Sequence, residues 1–267
     1  MTNKSWYQIK AMDDGYSVKI HGIIGDWGVS AEDFQEELKG IPEGSNITLH
    51  LHTDGGSVIE GYAIYIMMNR HSAHITTIVD GIAASMGSYL FMLGDRRVIP
   101  SNGWLMIHSP KGAKFGSPEE NRAFADFLEQ IKAEMVARYS KESNLSEAEI
   151  IEMMKVDTWI RGDKAFEMGL ATELEDEIEI AAQSSISLES FKNIPESLQA
   201  LNTQNENSNP SAVAGTIPKV EGIMPGKKES STSTVAATAT NTDPQALAND
   251  AVLVAKAAEK TRKADIV

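Results

Sequence analysis

The chain has 267 residues, of which 42% are hydrophobic and 23% charged, and it contains no cysteine. The lack of cysteine excludes disulfides, thiolate metal sites and a cysteine nucleophile, and the net charge of −14 argues against nucleic acid as the main partner. No run approaches the roughly 20 apolar residues of a membrane span, and the first residues lack the apolar segment of a secretory signal. We therefore expect a cytoplasmic protein with no membrane partner.

The composition changes near residue 191. Phe191 is the last aromatic residue, and the rest of the chain is rich in Asn, Ser, Thr, Ala and Pro, a composition too poor in apolar surface to offset the entropy of ordering. We predict a folded domain over residues 1–191, a disordered low-complexity linker over 192–242 and a short helical tail over 243–267. This tail fits either a fraying helix or one that folds on a partner.

The first 191 residues alternate between strand and helix patterns. Apolar runs and helical periodicity define the elements, and serines at three helix starts are typical N-caps. Such βαβ alternation indicates a largely parallel sheet covered by helices, and hence the α/β class. The predicted strands are 16–24, 46–52, 74–80 and 104–108, and the predicted helices are 30–38, 57–70, 85–93, 117–139, 146–154 and 163–168.

Ser85 lies between a predicted strand and a predicted helix, within the small-residue segment Gly81–Ser88. Small neighbours allow close approach to its hydroxyl, and the positive end of a helix favours the oxyanion that forms during acyl transfer. Taken alone, the segment also fits an ordinary N-cap serine in a tightly packed turn.

A glycine pair follows the second predicted strand, in Asp54-Gly55-Gly56-Ser57-Val58. Adjacent glycines let the backbone turn sharply and come close to a ligand, and their N–H groups can point at an anion. A plain strand-to-helix connection explains the pair equally well.

Two further residues could complete an acyl-transfer site. His108 ends a short apolar strand and is followed by Ser109-Pro110, so it can reach out as a general base. Asp157 stands between apolar residues after a helix and could orient a histidine. The alternatives are that His108 has a purely structural role and that Asp157 is an ordinary turn residue.

A metal site is a separate question. His50 and His52 share a strand face, but the sequence places no third ligand beside them, so no metal site is predicted.

These four segments, with Ala165–Leu170, resemble the Clp protease proteolytic subunit family over about residues 15–175. The resemblance implies a crotonase-like ββα superhelix with a projecting handle helix at Ser117–Tyr139, and no cofactor. It implies Ser85 as nucleophile, His108 as general base and Asp157 as its orienting partner. It further implies an oxyanion hole from the backbone N–H groups of Gly56 and Met86, with substrate contacts from Gly55, Ser57, Val58, Ser109 and Pro110.

The same resemblance implies protein or peptide substrates and homo-oligomeric rings that stack through the handle helix. The chain departs from the family in several places. Asp54 stands where proline is usual, Ser109 where glutamine is common, no gating segment is evident before Gly15, and the tail beyond 191 has no counterpart. In these departures the chain resembles the Clp-like head maturation proteases of tailed phages. The chain would then act in an infected host's cytoplasm or inside a procapsid, with capsid and scaffold proteins as partners.

Three alternatives stay open at this point. The first is a general degradative Clp-type peptidase that works with an unfoldase. The second is a ring or scaffold component without activity, against which the Ser85, His108 and Asp157 set argues. The third is an acyl-CoA hydratase or isomerase on the same fold, which would need acidic catalysts rather than a serine followed by a histidine.

Overall fold

A computed structural model describes residues 7–25, 30–71, 74–178 and 186–199 of the chain. Most of the predicted linker and all of the predicted tail helix over 243–267 lie outside these residues. Within them, the chain forms eight strands in one sheet, together with six helices. The predicted α/β class is confirmed.

The strands are β1 (Tyr7–Met12), β2 (Gly15–Ile24), β3 (Ile47–Gly56), β4 (Ile75–Ala84), β5 (Arg96–Pro100), β6 (Trp104–Ile107), β7 (Thr158–Arg161) and β8 (Glu173–Glu175). Neighbouring strands follow the order β1-β2-β3-β4-β5-β8, and the strands from β2 onwards in this order run parallel. β4 changes partner along its length: Thr76–Ile78 pairs with β5, whereas Ile82–Ala84 pairs with β6, and β6 also pairs with β7. Only the β1–β2 and β6–β7 pairs of this sheet are antiparallel.

All six predicted helices are present, with ends within a few residues of those expected. Ser30, Ser117 and Ser146 each accept a hydrogen bond from the backbone N–H three residues on, whose acidic side chain bonds back to the serine N–H. This reciprocal capping box fixes each start point. The helices are α1 (Ala31–Leu38), α2 (Val58–Arg70), α3 (Met86–Phe91), α4 (Pro118–Lys141), α5 (Glu147–Met154) and α6 (Gly162–Glu167). Over the described ranges, none of these helices is long and apolar enough to cross a membrane.

Four strands were not predicted, and two predicted strands continue further than expected. β1 lies before the first predicted element, β7 and β8 are too short to show a periodicity, and β5 carries two arginines and a proline. β3 extends through Gly56 and β4 through Ala84. The two glycine-rich segments therefore form the carboxyl ends of neighbouring parallel strands, which places both at one edge of the sheet.

Two apolar clusters hold the described part of the chain together. The main one joins the buried face of the sheet to α1–α6. A smaller one joins Ile82, Ala84 and Met106 to Ile186, Leu188 and Leu198, which are all buried. Packing therefore continues past the predicted domain boundary at residue 191, at least to Leu198. The sparse apolar residues Ile194 and Leu198 supply this packing, although the surrounding composition is polar.

Candidate active site

Ser85 follows directly on β4 and precedes α3, in a backbone conformation that few non-glycine residues adopt. Its φ is 53° and its ψ is −120°. Its side chain makes no hydrogen bond to the start of α3, so it does not act as an ordinary N-cap. A strained conformation of this kind costs on the order of 1–3 kcal/mol and persists only where the surroundings impose it. The β4–β6 pairing provides that constraint, because Ser85 N–H donates to the Met106 carbonyl at 2.9 Å.

The pairing of β4 with β6 also brings the Ser85 hydroxyl to His108. The distance from Ser85 Oγ to His108 Nε2 is 2.8 Å, and His108 Nδ1 lies 2.9 Å from Asp157 Oδ1. A carboxylate only accepts hydrogen bonds, so Nδ1 must carry a proton, and the neutral ring then presents a lone pair at Nε2. Ser85 Oγ–H donates to that lone pair. The three predicted side chains thus form one continuous hydrogen-bonded chain.

Asp157 is buried and accepts three hydrogen bonds on its carboxylate. Besides His108, the donors are Lys111 Nζ at 2.9 Å and the backbone N–H of Lys192 at 2.7 Å. Burial opposes ionisation, but the bonds from Lys111, Lys192 and His108 together hold the pKa of Asp157 below its usual range. The carboxylate therefore stays ionised and can stabilise an imidazolium at His108.

The surroundings of His108 favour the neutral form of its imidazole, because they hold its pKa below the usual range. Burial is the main cause that lowers the pKa of His108, and the positive charge of Lys111 lowers it further, while the bond to Asp157 raises it. A neutral imidazole is the form that can accept a proton. Its environment is therefore suited to a general base at neutral pH.

The glycine pair lies directly beside Ser85. Gly55 has φ +95°, and a Cβ there would lie 2.7 Å from the Ser85 Cβ, while Gly56 has φ +140° and would clash with the Ile24 carbonyl. Thr53 stabilises this end of β3, since its Oγ1 accepts a hydrogen bond from the Gly55 N–H at 2.9 Å. Only glycine allows the strand end to come this close to the hydroxyl.

A cleft of about 260 Å³ opens on Ser85. Its walls carry six of the residues expected in the site, namely Gly56, Val58, Ser85, Met86, His108 and Pro110. They also carry six residues that were not among the predicted catalytic, oxyanion-hole or substrate-binding residues, namely Ile23, Asp54, Lys111, Met135, Ser190 and Phe191.

Three predicted substrate-binding residues do not line the cleft. Gly55 packs against Ser85, Ser57 caps α2 by accepting from the Glu60 N–H, and Ser109 bonds through both its N–H and its hydroxyl to the Met154 carbonyl. Their roles in shaping the site are thus indirect in this structure. Asp157 itself lines no wall of the cleft and contacts the cleft residue His108 at Nδ1.

The histidines of β2 and β3 form a separate cluster with Asp80 and Ile82 of β4. His50 Nδ1 lies 2.9 Å from Asp80, His21 lies 3.1 Å from the same carboxylate, and His52 accepts from the Ile82 N–H. Asp80 is the neighbour that sequence reasoning did not place. Nowhere in the described residues do three or more His, Asp or Glu side chains form a group that could hold a metal ion.

Two groups around Asp157 were missed by sequence reasoning. A lysine just after the His-Ser-Pro motif was a visible signal for Lys111, although nothing indicated which carboxylate it would meet. The Lys192 N–H carries no residue-type signal, because every residue except proline has a backbone N–H.

Phe191 is a third residue of the site that the sequence did not predict. It stands out in the sequence only as the last aromatic residue, yet its ring lies edge-on to His108 with centroids 5.9 Å apart.

Known proteins resemble this chain over about half of its length. A family model described as Clp protease matches residues 36–178, more than half of the chain. The ATP-dependent Clp protease proteolytic subunit 2 of Thermobifida fusca is 31% identical over 148 residues, which cover 55% of this chain and 68% of that protein. The ATP-dependent Clp protease proteolytic subunit of Chlorella vulgaris is 28% identical over 139 residues, which cover 51% of this chain and 69% of that protein. The subunit of the same name from Bacteroides fragilis is 29% identical over 140 residues, which cover 51% of this chain and 67% of that protein.

Proposed function

The chain belongs to the Clp protease family of serine peptidases, and from this premise we propose that it cleaves peptide bonds with Ser85 as nucleophile, His108 as general base and Asp157 as orienting carboxylate. The observation that carries the proposal is the unbroken series of contacts from the Ser85 hydroxyl through His108 to Asp157, beside an open cleft. No cofactor is needed for this chemistry.

The proposed reaction is acyl transfer in two steps. His108 Nε2 takes the Ser85 proton while Oγ attacks the peptide carbonyl carbon, and the N–H groups of Gly56 and Met86 stabilise the resulting oxyanion. The tetrahedral intermediate expels the amine, which receives the proton from His108. Water then attacks the acyl-enzyme by the same route, releasing the carboxylic acid and restoring Ser85.

Hydrolysis of a fluorogenic peptide library by the full chain tests this proposal. We expect Ser85→Ala to abolish cleavage while the oligomeric state is unchanged, because only the attacking oxygen is lost. Ser101→Ala, which alters a hydroxyl in the β5–β6 turn, is the matched control and should cleave at the wild-type rate. Undiminished cleavage by Ser85→Ala would remove the assignment.

We also propose homo-oligomeric rings that stack through α4, the predicted handle helix, with protein substrates inside. The amino-terminal half of α4 carries stacked Phe124 and Phe127, and the preceding loop presents a fully exposed Phe115. An exposed apolar surface of this kind is typical of an interface. Analytical ultracentrifugation tests the proposal: Phe115→Asp should halve the assembly from paired to single rings, and an unchanged mass would contradict it.

For the biological role we propose processing of capsid and scaffold proteins during phage head maturation. The support is the long polar tail beyond the family-matched residues 36–178 and the departures at Asp54 and Ser109. A tether raises local concentration at an assembly without fixed geometry. The competing role is degradation with an unfoldase, which the word "ATP-dependent" in the relatives' names favours.

Truncation after Gln199 separates the two roles. Under the head-maturation proposal, the truncated chain keeps its peptidase activity but no longer enters particles assembled from capsid and scaffold proteins. If the full chain itself never enters such particles, and degrades folded proteins once a Clp unfoldase and ATP are supplied, the degradative role is the correct one.

A further inference from the structure

The residues that follow the family-matched region return to the active site. We define residues 186–199 as the C-terminal strap. It lies beyond the match at 36–178 and packs against β4 and β6 through Ile186, Leu188 and Leu198. These two strands carry Ser85 and His108 at their ends, so the strap supports the segments that position the proposed nucleophile and base.

The backbone N–H and carbonyl of Lys192 are both held by residues of the site. Its N–H donates to Asp157 Oδ2 at 2.7 Å, and its carbonyl accepts from Trp159 Nε1 at 3.1 Å. Asn193 Nδ2 adds a bond to the Asp157 main-chain carbonyl at 3.4 Å. The carboxylate that faces His108 is thus fixed on its second oxygen by the strap.

Phe191 shields the imidazole from the other direction. Its ring lies edge-on to His108 and, on a second side, edge-on to Trp159, with centroids 5.9 Å and 5.8 Å apart. Phe191 and Ser190 both line the cleft that opens on Ser85. The ring therefore limits the access of water to His108 and bounds the space available to a substrate.

We infer that the C-terminal strap is a working part of the active site, with Lys192 N–H and Phe191 as positioning groups for Asp157 and His108. This inference rests on the proposed function. It deepens that function by assigning site groups to a segment outside the family-matched part of the chain. The Lys192 N–H acts through Asp157, and Phe191 acts through His108, against which its ring packs.

The main test compares Lys192→Pro with Lys192→Ala in the full chain. Proline removes the N–H donor, whereas alanine keeps it and removes only the side chain. A hydrogen bond to a charged group typically changes an equilibrium or rate by tenfold or more. We expect Lys192→Pro to lower kcat for a fluorogenic peptide by about tenfold or more with KM changing less, and Lys192→Ala to match the wild type.

A double-mutant cycle shows whether the N–H acts through Asp157. In an Asp157→Ala background, Lys192→Pro should have little further effect on the rate at which a fluorophosphonate probe labels Ser85. The inference is overturned if Lys192→Pro reacts like the wild type, if Lys192→Ala loses as much, or if the proline effect is equally large without Asp157.

Phe191→Ala gives an independent test, should the proline variant misfold. Burial is the main cause that lowers the pKa of His108, so removing the ring should raise that pKa and move the acid limb of the kcat/KM profile to higher pH. Phe191→Leu should restore most of the original profile. Superimposable profiles would contradict the inference. A wild-type chain that fails to label at Ser85 would instead remove the proposed function, so the two failures are distinct.

Discussion

Two histidine–aspartate pairs in the molecule share the same contact but differ in their surroundings. In both, Nδ1 lies 2.9 Å from a carboxylate oxygen: His108 with Asp157, and His50 with Asp80. The Asp157 side chain is 3% exposed and that of Asp80 is 28% exposed. The first pair leads on to the Ser85 hydroxyl in a cleft, whereas Asp80 binds a second imidazole, that of His21.

The comparison teaches that a short histidine–carboxylate contact does not by itself identify a catalytic site. Exclusion of water and a hydroxyl at the far ring nitrogen distinguish the first pair. The second pair lies across β3 and β4 on the more exposed face of the sheet, where solvent screens its charges. The following predictions test whether these differences in surroundings have the expected consequences.

The largest effect is expected from exchanging each aspartate for asparagine. Asp157→Asn should lower kcat on the order of 10⁴-fold, because an amide favours the wrong tautomer of His108 and no longer stabilises its charged form. Asp80→Asn, the matched change at the second pair, should leave kcat near the wild-type value. Steady-state hydrolysis of a peptide measures both, and equal losses would mean that the two pairs are equivalent.

The close approach of the glycine pair to Ser85 gives the next largest effect. Gly55→Ala would place a methyl group against the Ser85 Cβ and the Ala84 carbonyl, so we expect a loss of kcat of about 10² or more as the hydroxyl shifts. Gly44→Ala, at φ +78° in open space, should cost about 1 kcal/mol in stability without affecting kcat. Peptide hydrolysis measures the effect of each variant on kcat, and thermal unfolding measures its effect on stability. Wild-type activity in Gly55→Ala would show that the turn tolerates displacement.

A smaller effect is expected from the cation beside Asp157. The charge of Lys111 lowers the pKa of His108, so Lys111→Gln should raise that pKa. Because the unprotonated imidazole is the active form, the acid limb of the kcat/KM profile should move to higher pH, with a loss below about tenfold at pH 6. Lys111→Arg keeps the charge and should keep the profile. A profile that moves to lower pH would contradict the assigned sign.

The smallest effect concerns stability and lies beside the second pair. Burial, aided by His21, lowers the pKa of His52 from 6.5 to about 4 in the folded chain. The unfolded state therefore binds more protons between these values, and stability should fall as the pH drops from 6.5 towards 4. His52→Gln should remove about 2 kcal/mol of that loss between pH 7 and 5. Exposed His74, changed to Gln, is the control, and denaturant unfolding at both pH values measures the difference. Parallel losses in all three chains would refute the linkage.

Local signals in the sequence predicted much of the fold and the central residues of the site. The serine caps at Ser30, Ser117 and Ser146 fixed helix starts because the capping interaction is local. Ser85 and His108 were found because each ends a strand within an unusual short motif. The close approach of these two side chains could only be inferred from the resemblance, since it depends on β4 changing its pairing partner to β6.

Other parts of the site could not be predicted, for physical reasons. Lys192 meets Asp157 through its backbone N–H, and the two residues lie far apart in the chain. After Phe191 the apolar side chains of the strap are only Ile194, Pro195 and Leu198 among polar residues, so the buried Leu198 gave no periodic pattern. Lys111 carried a visible charge, but only the three-dimensional structure shows that it shares Asp157 Oδ1 with His108.

The most direct test of the central claim is the site and pH dependence of labelling by a fluorophosphonate probe, mapped by mass spectrometry on the full chain. We predict covalent modification at Ser85, with a rate that rises as His108 loses its proton and falls by orders of magnitude in His108→Ala. A chain that is labelled elsewhere, or labelled at Ser85 just as quickly without the imidazole, would contradict the account.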